Sequence, residues 1–232
     1  GQALQLNDTE RTHLFDLARA ADGIPVSRRN RRRADRSTPS RPALQWMLES
    51  ITDGVAFIRN ARQDLIAINT LGRAFYAPMI GDDTRHDESS KVSPAGRPVN
   101  LARFQFLDPA SRDFYPDWET FADMCVAVIR AEAGRDPHDT GIQDLVGELS
   151  TRSDVFRSLW AAHNVRTHGS GTKRFAHPIV GEVTLVYEEL ALTADPGRVL
   201  LSYTAEPGSP SAERLRLLAS WAAESAPARP PG

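Results

Sequence analysis

Three histidines, His163, His168 and His177, are the clustered imidazoles of the sequence, and two of them flank Gly169-Ser170-Gly171. A zinc centre needs a third or fourth ligand at fixed geometry, so the three read better as surface or hydrogen-bonding histidines. Cys125 falls on the apolar face of a predicted helix, where a thiol is buried and inert rather than nucleophilic. Asp136 and Asp139, on either side of Pro137, read as helix-start acids and not as a catalytic pair. The sequence holds no G-x-S-x-G, Walker lysine, G-x-G-x-x-G or C-x-x-C motif. The chain is therefore not read as an enzyme, and neither a metal nor a cofactor is expected.

A binding site has better support. Nine Phe, four Tyr and four Trp are present, and most fall on predicted inward faces. Each taken singly is core, but a curved sheet facing several helices can enclose an apolar cavity. Arginines also interrupt apolar strings: Arg103 in NLARFQFL and Arg174 in TKRFAH. A guanidinium in such surroundings requires a carboxylate. It would come from a ligand, or internally from Glu148, Glu182 or Glu206. The candidate ligand-binding residues are Arg103, Phe104, Trp118, Phe121, Cys125, Trp160, Arg174, Tyr187 and Tyr203. Arg103, Arg174, Tyr187 and Tyr203 are the candidates for an acidic head.

These residues need elements to position them. Leu44, Met47, Leu48 and Ile51 form a helix stripe, and Val55–Ile58 and Leu65–Ile68 then make a hairpin. Asn69 can cap a following helix, and residues 81–98 read as a loop. Asp108-Pro109 starts a helix; Trp118, Phe121, Ala122, Cys125, Val128 and Ile129 share one face of another, from about Pro116 to Ala133. Further helices carry Ile142 to Leu149 and begin near Ser153. Period two then predicts strands at Thr172–His177, Glu182–Leu192 and Arg198–Thr204, before a helix with Leu215, Leu218 and Trp221. Two strands, a helical block and three strands predict an α+β antiparallel sheet with helices packed on one face.

Bulk numbers set the class. The 232 residues carry 28 Lys+Arg against 30 Asp+Glu, with 41% hydrophobic and 25% charged residues. That is globular composition, with no apolar run near the roughly 18 residues of a membrane span. One cysteine and no visible secretory signal predict a cytoplasmic protein with no membrane partner. The near-neutral total conceals residues 28–41, which hold seven arginines and one acid, a local charge of +6. Such a run reads as a solvated linker. Arg28, Arg29, Arg31, Arg32 and Arg33 are its candidate contacts to a nucleic-acid backbone.

Four long strings sharpen this reading: NLARFQFLDPASRDFYPDW, LVGELSTRSDVFRSLWAAHNV, GTKRFAHPIVGEVTLVYEEL and YTAEPGSPSAERLRLLAS. They resemble the C-terminal ligand-binding domain of the MmyB-like transcription regulators, an Xre-type helix-turn-helix family found mainly in actinomycetes. The resemblance covers about residues 43–222. It implies a PAS-like five-stranded antiparallel sheet able to accommodate a fatty acid as effector, behind a helix-turn-helix domain that binds DNA. Residues 1–27, with a helix expected over 5–21, then read as the short helical remnant of that domain. Residues 28–42 are an Arg-rich linker, 43–222 the ligand-binding domain, and 223–232 a disordered tail. The expected function is ligand sensing in a homodimeric regulator; the alternative is a dimerisation or protein-interaction module without a small-molecule ligand.

Overall fold

Two continuous apolar runs and three alternating segments give five strands, and antiparallel pairing joins all of them in the order β2-β1-β5-β4-β3. The computed structural model describes residues 41–81, 98–162 and 169–225. Helix α1 (Pro42–Glu49) leads into β1 (Val55–Asn60), β2 (Leu65–Ile68), α2 (Thr70–Phe75) and α3 (Ala77–Ile80). The helical block is α4 (Leu101–Leu107), α5 (Ala110–Phe114), α6 (Trp118–Arg135), α7 (Thr140–Arg152) and α8 (Asp154–Ala161). Strands β3 (Ser170–His177), β4 (Gly181–Ala191) and β5 (Arg198–Thr204) complete the sheet, and α9 (Pro210–Ser225) ends the described chain.

The expected antiparallel sheet with a helical layer is present, and its period-two register decides which side chains meet that layer. Phe57, Leu201 and Tyr203 point to the inner face, with Val183, Leu185 and Tyr187 of β4 and Phe175 of β3. The opposite face is partly covered as well: Leu44 and Leu48 of α1 pack on Ala56, Ile58, Ala67 and Leu200. Met47, predicted to share that stripe, points outward instead and is 38% exposed. Helix α6 has two apolar sides. Phe121 and Ala122 join the sheet core, while Val126 and Ile129 pack with Ile142, Leu145 and Leu149 of α7 and Phe156 of α8.

Caps fix where these helices begin. Asp139 accepts from the Ile142 N–H, and Ser153 from the Phe156 N–H, so both act as the sequence suggests. Asn69 does more than cap α2. Its Oδ1 accepts from the backbone N–H groups of Gly72 and Ala56, and its Nδ2 donates to the Ile51 and Gly54 carbonyls. One buried amide thus ties the chain after α1, the start of β1 and the first turn of α2 together.

His177 is buried, with its ring stacked on Phe75 at 5.3 Å between centroids. Its Nδ1 accepts from the Ile179 N–H at 3.2 Å, which leaves Nε2–H to donate to the Ala74 carbonyl at 3.3 Å. Desolvation holds this imidazole below its usual pKa, against the backbone acceptors at Ala74 and Phe75. It is therefore a structural histidine. His163 and His168 lie outside the described residues, as do the 5–21 helix, the five linker arginines at 28–33 and most of the 81–98 loop. Helix α9 runs to Ser225, so residues 223–225, expected at the start of the tail, are helical.

Asn69→Ala is expected to destabilise the domain by about 2–4 kcal/mol, a lost cap plus buried backbone groups left unpaired, measured by urea unfolding. His177 should make stability pH-dependent. Because its folded pKa lies below 6.5, the unfolded chain takes up the proton first as pH falls below that value. Stability should therefore be full above about pH 6.5 and decline on acidification. In His177→Phe this part of the pH slope in denaturant midpoints should disappear.

Candidate functional site

Between the inner face of the sheet and the side of α6 lies a cavity of about 80 Å³. Helix α6 contributes Phe121, Met124, Cys125 and Val128, the i, i+3, i+4, i+7 set that a helix presents on one side. The sheet contributes Phe57 and Leu201, and the rings of Tyr187 and Tyr203. Leu101 and Gln105 of α4 close another side.

Two cations and one carboxylate stand among these apolar walls: Arg59, Lys173 and Glu189. Arg59 shares strand parity with Phe57, so it too points inward; its side chain is 4% exposed and its Nη2 donates to Glu189 Oε1 at 2.8 Å. Lys173 sits two residues before Phe175 and follows the same parity. Its ammonium donates to the Tyr203 hydroxyl at 3.2 Å and lies over the rings of Tyr187 at 4.6 Å and Phe121 at 5.0 Å. Aromatic faces partly compensate a cation withdrawn from water. Among the described residues no carboxylate pairs with Lys173.

Behind Tyr203 the polar thread continues. The Tyr76 hydroxyl is hydrogen-bonded to those of Tyr203 and Tyr115. Burial above all, together with the neighbouring phenol of Tyr203, pushes Tyr76 and Tyr115 well above the usual tyrosine range. Tyr76 and Tyr115 therefore stay neutral and act as hydrogen-bonding groups. Nothing in this arrangement resembles a nucleophile beside a base. The cavity wall is mainly apolar, with Arg59, Lys173 and Glu189 among its polar members.

Residues 40–218 match the MmyB-like transcription regulator ligand binding domain. The chain belongs to that family. No curated protein matches it. The MmyB-like domain is described as a ligand-binding part of transcription regulators, which agrees with a pocket. Among its described residues no helix is long and apolar enough to cross a membrane, and no group of His, Cys, Asp or Glu could hold a metal ion.

Of the residues singled out in the sequence, Phe121, Cys125, Tyr187 and Tyr203 line the cavity. The other five lie elsewhere. Arg103 is paired with Glu148 at 2.9 Å on the α7 side of α4, the internal carboxylate considered for it. Arg174 points to the outer face of β3 and pairs with Asp117, with Nε 2.9 Å from Oδ2. That pair holds the Asp117 carboxyl below its usual range. Phe104 is core against Phe114 and Tyr115. Trp118 donates to the Ser111 hydroxyl, carries Arg112 over its ring and borders a second, separate pocket of about 250 Å³. Trp160 stacks on Phe156 in the helical layer.

Sequence reasoning missed Arg59, Gln63 and Lys173. Signals existed: Lys173 is one of only two lysines among 28 basic residues. Its parity with Phe175 places it inward and places Arg174 outward.

Cys125 offers a check on how closed the cavity is. Desolvation pushes its thiol up to about 12, against the pull of Arg59 and Lys173. The native protein at pH 8 should therefore carry about a thousandfold less thiolate than a free cysteine. Cys125 is only partly buried, so iodoacetamide should reach it in the native protein but label it far more slowly than after unfolding, as read by intact mass. Equal rates in the two states would contradict the raised pKa.

Proposed function

We propose that this MmyB-like domain senses a small apolar effector of the fatty-acid type, bound in the cavity between the sheet and α6. The observation that carries the reading is the wall itself: aromatic and aliphatic side chains from both layers, with two cations among them. Each methylene withdrawn from water is worth about 0.8 kcal/mol before ordering costs, so a modest chain gives useful affinity. Ligand pockets usually begin near roughly 300 Å³, more than the space present here. A short acid enters with small adjustments, whereas a long acyl chain must displace flexible side chains such as Met124. In the whole regulator, the Arg-rich residues 28–33 would follow DNA phosphates beside the helix-turn-helix, and two chains would act together. An effector changes such a regulator only by binding one of its states more tightly than the other.

A second reading has its own support. The cavity is small, and Trp46, Val186 and Leu190 present apolar surface outward at 71%, 43% and 50% exposure. This is the interaction module without a small-molecule ligand. Native mass spectrometry after gentle purification, with thermal shifts over unbranched acids of increasing length, separates the two. The sensor reading expects a bound mass or a stabilisation of several degrees that depends on chain length. An unliganded protein that no acid stabilises favours the interaction module.

A further inference from the structure

Two buried hydrogen-bond donors at the cavity lack acceptors among the described residues. Arg59 is 3% exposed; Nη2 is engaged by Glu189, and Nη1 is buried with no partner among the described residues. Gln63 is 5% exposed and its Nε2 is buried and unpartnered in the same way. Lys173 has a hydroxyl and aromatic faces around it, but no carboxylate. All three line the one cavity. Buried donors without acceptors, such as Arg59 Nη1 and Gln63 Nε2, are uncommon, because each has given up its water for nothing. Lys173, by contrast, is only partly buried and keeps one acceptor in Tyr203.

The backbone at Gln63 supplies an independent sign. It is the single described residue other than glycine with a positive φ, at 65°. A hairpin turn at such a φ ordinarily takes Gly or Asn, which enter the left-handed region at little cost. Gln63 is instead clamped there. Its N–H donates to the Asn60 carbonyl and its own carbonyl accepts from the Leu101 N–H. The turn therefore accepts local strain while directing a long amide inward, the kind of outlier that accompanies binding sites.

Charge selects the missing group. Arg59 and Lys173 against Glu189 leave the wall at +1, so one negative charge balances it. A carboxylate offers two oxygens to a guanidinium, an amide N–H and an ammonium together. A phosphate dianion would overshoot the charge in a space of about 80 Å³.

We propose that Arg59 Nη1, Gln63 Nε2 and Lys173 Nζ form an anion end that receives the carboxylate of a monoanionic apolar acid and discriminates against its neutral analogues. The inference rests on the cavity being the effector site. Glu189 keeps half of the Arg59 fork engaged and orients the other half toward the ligand. Lys173 supplies the net charge.

The test is calorimetric titration of the full chain with acetate, hexanoate and decanoate and with the matching alcohols. The expected result is that hexanoate or decanoate binds at least about tenfold more tightly than the alcohol of equal length. Acetate should bind weakly, for want of apolar contact. Lys173→Met should bring the acid-to-alcohol ratio close to one. Gln63→Gly removes the donor but gives the turn the residue that adopts this φ freely. It should weaken acid binding about tenfold while the thermal midpoint stays level or rises.

Equal binding of acids and alcohols by the unaltered chain overturns the anion end and leaves the apolar cavity as effector site. Acetate binding as tightly as decanoate shows a general anion site and overturns the apolar acid. Binding of none of these compounds overturns both this inference and the sensor reading beneath it. A Gln63→Gly protein with unaltered acid affinity removes Gln63 from the proposal.

Discussion

Six consecutive residue pairs, from Val55↔Tyr203 to Asn60↔Arg198, join the first strand of the domain to the last, and the cavity rests on that seam. On one side of it the β1–β2 hairpin brings Phe57, Arg59 and Gln63; on the other, β5 and β4 bring Leu201, Tyr203, Tyr187 and Glu189. The segment between the two strands must close as a loop of well over a hundred residues. The entropic cost of closure rises only with the logarithm of length, so the compact helical block inserted there is tolerated. Pairings so distant in sequence form late and slowly. The two ends of the site are therefore assembled only when the domain as a whole is.

Within that frame the wall accommodates an unfavourable combination, positive charge in an aromatic interior. The Arg59–Glu189 pair is buried on the arginine side and half-open on the other. Such a pair contributes little net stability, but removing one partner strands the other charge and typically costs about 3–5 kcal/mol. Lys173 is held by weaker means, quadrupoles and one phenol. The Tyr203–Tyr76–Tyr115 thread extends this polarity without adding charge, since burial keeps Tyr76 and Tyr115 protonated. A domain optimised only for stability would place apolar residues here. The polar positions make sense as the site's chemistry.

Much of the fold was legible because its signals are local. A short apolar run located β2 and period two located β5, both to the residue, and Asp139 and Ser153 behave as the caps their types suggest. The α6 stripe was readable too, and it supplied Phe121 and Cys125. The site was less legible, because it depends on parity and on tertiary pairing. In TKRFAH two cations are adjacent, and one step of strand phase exchanges them: Lys173 faces the cavity and Arg174 faces out to Asp117. Arg103 looked buried among apolar neighbours, yet the helix turns it toward Glu148, a partner 45 residues away that no local pattern announces. Gln63 could not be found by residue type at all. Its significance lies in a backbone angle.

Helix α1 and the cavity lie on opposite faces of the same sheet, and Arg41, at the start of that helix, is tied to Asp195 between β4 and β5. The sheet therefore works as a diaphragm. On one side stands the space for a small molecule; on the other, the helix that follows the arginine-rich stretch. The two share strands β1 and β5, with Phe57 and Leu201 facing inward and Ala56, Ile58 and Leu200 facing α1. A change in the positions of those two strands would therefore be felt on both faces at once, as in the skin of a drum rather than along a wire.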